Sequence, residues 1–167
     1  MLQAYGFIGV IQTICSFSMA FWYLQRSGIP FSSMWFSYVS TPDGIDPDYY
    51  LARTNEASSI YFINLVVMQW FNLLAVRTRR LSIFQHPPLF NERTQNWYLF
   101  PVMVFALGMA FFWCYTPAIQ DALGTSQVPV EHFFLPAAFG LGLLCLDELR
   151  KLAVRSYPNG ILAKIAW

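Results

Sequence analysis

From Tyr5 to Gln25, from Ala57 to Val76 and from Thr94 to Gln120 the chain carries no charged side chain, and its polar residues never recur often enough to make a water-facing stripe. Each run supplies the roughly 20 apolar residues with which a helix crosses about 30 Å of hydrocarbon. A fourth run, His132 to Leu146, is shorter. It crosses if the helix carries Asp147 and Glu148 into the headgroups at its far end. The pattern predicts an all-α, four-span transmembrane helix bundle forming a single domain over residues 1–167, with spans near 5–25, 57–76, 97–117 and 132–149. Helix breakers fall between these segments: Gly28 and Pro30 after the first, Pro87 and Pro88 beyond the second, Pro117 at the end of the third, and Pro158-Asn159-Gly160 after the last. The stretch from Arg26 to Glu56 reads as a long loop. It holds an aromatic piece, Phe31 to Val39, too short to cross and suited to the bilayer surface, neighbouring helix ends or a partner subunit.

Composition strengthens this reading, with 56% hydrophobic and 11% charged residues. Trp22, Tyr23, Trp70, Trp97, Tyr98, Trp113 and Tyr115 lie mostly near the expected helix ends, where amphipathic rings settle at the lipid–water boundary. Charge then orients the bundle. Arg77, Arg79, Arg80 and Arg93 follow the second span against Glu92, and Arg150, Lys151, Arg155 and Lys164 follow the fourth against Asp147 and Glu148. The loops after the first and third spans hold Arg26 and Arg53 against six acids. Basic loops stay inside, so both termini are expected to be cytoplasmic. The first residues carry no positive n-region of a signal peptide, which leaves the first span as the anchor. An integral, multi-pass protein surrounded by membrane lipids is the expectation, with no role for nucleic acid.

Few chemistries survive inspection. Cys15, Cys114 and Cys145 all fall within spans and read as packing residues, Cys145 doubling as a candidate for palmitoylation. His86 and His132 lie on opposite sides of the bilayer, so they cannot share a haem or a metal; no metal site and no cofactor is expected in this chain. A phosphate-cradling glycine loop, a phosphorylatable aspartate motif and a nucleophile–histidine pair are all missing, so no catalytic residue is assigned and the isolated chain is not expected to be an enzyme. The signal that remains is polarity within the spans, which is costly unless paired. Gln69 and Asn72 share one helix face at a spacing of three, and Gln12 and Ser16 another at a spacing of four. They suit either cation ligation or hydrogen bonds between helices, each worth about 1 kcal/mol. Ala106, Gly108, Ala110, Gly140 and Gly142 read as close-packing surfaces. Arg79-Arg80-Leu81-Ser82 fits a basophilic-kinase pattern, which makes Ser82 a candidate phosphosite.

Three blocks carry a resemblance. They are Gln3-Ala4-Tyr5-Gly6 leading to Ile11-Gln12; Leu65 to Trp70 continuing to Arg77-Thr78-Arg79-Arg80-Leu81-Ser82-Ile83-Phe84-Gln85; and Asp147-Glu148-Leu149-Arg150-Lys151-Leu152 with Pro158-Asn159-Gly160. In order and spacing the chain resembles the last four membrane helices of P-type cation-transporting ATPases, most closely those of the sodium/potassium and proton/potassium type. The resemblance implies a plasma-membrane helix bundle that braces the transport helices and works with the remainder of the pump. It also implies that the phosphorylated aspartate, the nucleotide-binding domain and the main cation carboxylates lie in a part of the pump that this chain lacks, as in a truncated gene model or a separately encoded fragment. Where the family has Gln-Trp-Ala-Asp, with the Asp helping to form a sodium site, this chain has Gln69-Trp70-Phe71-Asn72. The resemblance thus makes Gln69 and Asn72 the candidate cation-binding pair, without the carboxylate. Phe105-Ala106 stands in place of the family's acidic pair, the beta-type subunit's Ser-Tyr-Gly-Gln-Gln contact has no match between Arg26 and Glu56, and one terminal aromatic, Trp167, replaces paired tyrosines. The competing reading is a stand-alone four-helix adaptor or regulatory subunit without transport activity.

Overall fold

The computed structural model describes residues 3–34, 41–42, 44–77, 81–85, 87, 92–93, 95–158 and 160. The described residues form helices and connecting turns, with no strand among them. A π-helical segment, Gln3–Gly9, runs into α1, Val10–Arg26. A single turn, α2, follows at Phe31–Met34, then the long α3, Pro47–Ala75. Beyond the basic connection come α4, Leu99–Tyr115, the short α5, Pro117–Leu123, and α6, Glu131–Ser156. Three helical stretches, Gly6–Arg26, α3 and α6, are each long and apolar enough to cross a membrane, and α4 with α5 makes a fourth if the pair is taken as one broken span. This is an all-helical integral membrane bundle.

Local chemistry explains where the helices start and stop. Gly28 adopts a left-handed φ of +85° two residues past α1, a conformation that side chains disfavour and that ends the helix. The helix after it begins at Pro47 rather than near Ala57. Pro47 occupies the first turn, where its missing N–H costs nothing, Asp48 complements the helix dipole, and an ion pair between Arg53 and Glu56 at 2.8 Å supports the next turns. The charges that suggested a loop are therefore carried on a helix. Of the aromatic piece Phe31–Val39, the first four residues form α2, and residues 35–40 lie outside the described residues. Thr116 is extended, at φ −87° and ψ 116°, and Pro117 restarts the chain as α5 at an angle of 80° to α4.

The bundle is organised around α3, which packs along α1 on one side and α6 on the other, with α4 touching it more lightly. α1 and α3 are antiparallel. α6 runs parallel to α3, so the chain crosses to and fro and the end of α6 returns to the side from which α1 started. Between α1 and α3 lie Met19, Ala20, Leu24, Ala57, Ile60, Ile63 and Val67, all buried. At Gly140 of α6 a Cβ would overlap the ring of Phe71 on α3. Pro136, also buried, removes one N–H from the second turn of α6, so the carbonyl of His132 has no helical donor four residues on. α4 buries only Ala110 and Cys114, while Val102, Val104, Phe105 and Phe112 are exposed.

Candidate functional site

The polar side chains of α1 and α3 meet across the helix interface. The amide of Gln12, 3% exposed, donates through Nε2 to the backbone carbonyl of Met68 at 3.2 Å. Its Oε1 accepts from Gln69 Nε2 at 3.3 Å, and Gln69 Oε1 accepts from Asn72 Nδ2 at 3.1 Å. One turn deeper, Asn64 donates to Ser16 Oγ at 2.6 Å; both residues are fully buried. Two amide oxygens remain buried without a partner, Asn64 Oδ1 and Asn72 Oδ1. Gln69 and Asn72 also line a groove of about 310 Å³ between α3 and α4, whose other walls include Trp70, Val102 and Ala106.

The structure thus joins Gln12, Gln69 and Asn72 in one string, and Gln12 and Ser16 occupy the shared face expected of them. Asn64, outside this string, is the buried amide between the same two helices that sequence reasoning passed over. Its signal was an amide inside the otherwise apolar Ile63-Asn64-Leu65, as unusual in a membrane helix as Gln69 itself.

At the Ala75 end of α3 a second polar cluster ties α6 to the chain leaving α3. Lys151, 1% exposed, lies 2.9 Å from Asp147 Oδ2, donates to Ala75 O at 3.0 Å and to Glu148 Oε1 at 3.2 Å. Arg150 pairs with Asp147 at 2.9 Å. Glu148 also accepts the N–H of Ile83 at 3.1 Å and a hydrogen bond from the Ser82 side chain. The acids at this end of α6 are held by protein cations. Ser82 itself is 8% exposed, and Arg79 and Arg80 of the kinase pattern lie outside the described residues, as do His86 and Lys164.

At the opposite end, Tyr23 of α1 donates its hydroxyl proton to Glu56 and accepts from Arg53 at 3.0 Å. The ring of His132 stands edge-on to Tyr23 at 5.4 Å, and Glu131 pairs with Arg26 at 3.4 Å. No cluster of three or more His, Cys, Asp or Glu able to hold a metal occurs among the described residues.

Comparison with known proteins decides what kind of membrane bundle this is. Residues 1–153 match the family described as cation transporting ATPase, C-terminus. The chain belongs to this family. It is similar to the sodium/potassium-transporting ATPase subunit alpha of Drosophila melanogaster, 30% identical over 96% of the chain and 16% of the relative. The corresponding subunit alpha-2 of Rattus norvegicus is 28% identical over 97% of the chain and 16% of its own length. The alpha-A subunit of Artemia franciscana is 35% identical over 62% of the chain and 10% of its own length. The chain therefore spans about a sixth or less of the relatives it matches, and corresponds to the C-terminal membrane region of a P-type cation ATPase. In this cation-transporting ATPase segment the amide string runs between the first two membrane helices and ends beside the third.

Proposed function

We propose that the chain is the membrane-embedded C-terminal module of a sodium/potassium-type P-type cation pump, working with the remainder of the pump to brace its transport helices. Both termini face the cytoplasm in the plasma membrane, the orientation that places the basic residues inside. Gln69 and Asn72 lend the pump a weak pair of cation ligands. The observation that supports this reading is the bare Oδ1 of Asn72 at the end of a string whose other amides are engaged between helices, on a residue that lines the α3–α4 groove. Amide oxygens suit hard cations. They add a dipole to a coordination shell without compensating a buried charge, so the pair completes a site whose carboxylates come from elsewhere in the pump.

The test uses the assembled pump containing this region. Asn72→Asp should tighten apparent sodium affinity by roughly tenfold, about 1.4 kcal/mol, because it returns an ionised ligand to the groove. Gln69→Leu should weaken it while the bundle still folds. Unchanged cation affinity in both variants would make the pair purely structural.

A further inference from the structure

The orientation of the amide string is not arbitrary, and its direction is set at one end. An amide's oxygen and nitrogen ends are nearly equal in size, so either could face a neighbour; only hydrogen-bond partners decide between them. The Met68 carbonyl is the fixed point, because a backbone oxygen can only accept. Gln12 must therefore turn Nε2 toward it, which leaves Oε1, the other end of the same planar amide, facing Gln69. An oxygen there accepts only a donor, so Gln69 turns Nε2 to Gln12 and leaves Oε1 for Asn72 Nδ2. The last free atom in the series is then Asn72 Oδ1. Reversing the amides together would set oxygen against oxygen at Met68.

We infer that Gln12, on α1, is a positioning residue for the cation site: anchored on Met68 O, it polarises the string so that Asn72 ends on a bare oxygen rather than an NH2 group. This rests on the cation-binding role of Asn72 proposed above. Gln12 has no place on the groove between α3 and α4 and acts only through Gln69. Without its acceptor, the Gln69 and Asn72 amides are free to turn. An Asn72 amide that offers its donors to the groove repels a cation.

The experiment compares four variants of the assembled pump, with sodium as the probe. Asn72→Leu removes the ligand. Gln12→Met keeps the length of the side chain but neither donates to Met68 nor accepts from Gln69. Asn64→Leu breaks a buried bond between the same two helices that lies outside the string, and serves as the structural control. Gln12→Glu, as the neutral acid, donates its O–H to Met68 O and keeps an acceptor facing Gln69; it is the conservative rescue, which also keeps the test decisive if Gln12→Met fails to accumulate. Gln12→Met should lower apparent sodium affinity as far as Asn72→Leu does, by roughly fivefold, the order of one lost neutral contact, while Asn64→Leu leaves affinity unchanged and Gln12→Glu stays near the unmodified pump. If Asn72→Leu weakens sodium binding and Gln12→Met does not, or if Gln12→Glu is as weak as Asn72→Leu, the positioning role is overturned while the ligand role of Asn72 stands. If Asn72→Leu changes nothing, both fall together.

Discussion

Lys151 of α6 reaches the last carbonyl of α3, donating to Ala75 O at 3.0 Å from a position 1% exposed. Helix ends leave carbonyls without intrahelical donors, and here a lysine from a neighbouring helix supplies one while pairing with Asp147 and Glu148. Lys151→Met leaves the 5%-exposed Asp147 side chain with Arg150 alone. The bundle should lose about 3 kcal/mol, the lower end for breaking a buried ion pair. The half-life of the helical circular-dichroism signal on heating in detergent should fall sharply. An unchanged half-life would show that Arg150 suffices.

Gly140 of α6 packs against the Phe71 ring of α3. Any Cβ at this position meets the Phe71 ring, which has to swing away. Gly140→Val should therefore destabilise the α3–α6 contact by about 1–3 kcal/mol, the usual cost of overpacking. Phe71→Ala in the same chain should recover part of the loss. Thermal unfolding of the single and double variants gives the coupling, and strictly additive effects would rule out the direct clash.

Tyr23→Phe deletes the hydroxyl shared by Glu56 and Arg53, leaving the Arg53–Glu56 pair intact. A loss of about 1.5–3 kcal/mol is expected from a hydrogen bond to a charged group. In a Glu56→Ala background, where the phenol has already lost its charged acceptor, Tyr23→Phe should cost less. An equal loss in both backgrounds would shift the explanation to packing.

Phosphate on Ser82 would place nearly two negative charges beside Glu148. Ser82→Asp should then detach the 81–85 turn from α6 and speed tryptic cleavage at Arg77 and Arg93 in membrane vesicles. Mass spectrometry after kinase treatment should find the phosphate itself. A cleavage rate equal to that of the unmodified chain would mean that the turn holds without Glu148.

Orientation is testable on a chain whose Cys15, Cys114 and Cys145 are replaced. Single cysteines at Leu81 and Glu92 should react with an impermeant maleimide only from the cytoplasmic side, and one at Asp121 only from the other. Labelling of Leu81→Cys from outside would invert the topology.

Which long helices exist was legible because a bilayer demands long charge-free runs, whereas the short α2 and α5 carry no such signal. What each charge touches was not. Asp147 and Lys151, four apart, advertise an i,i+4 pair, yet only packing of α6 against α3 adds Ala75 O and buries them. The helical start at Pro47 was hidden by charges on its first turns, although Asp46-Pro47-Asp48 is itself a start signal. In the candidate site, spacing put Gln69 beside Asn72 and Gln12 beside Ser16. The pairings across helices, Gln12 with Gln69 and Ser16 with Asn64, depend on the rotation of two helices about their axes, which no spacing within one helix encodes.

At 29 residues, α3 is about 43 Å long, which exceeds a hydrocarbon layer of about 30 Å by roughly 13 Å. The surplus lies at the Pro47 end, where Asp48, Arg53 and Glu56 are carried. The charged turns there suit headgroups and water, so a helix of this length can meet bilayers of different thickness at its Pro47 end or by tilting, while the α1–α3 interface keeps its register.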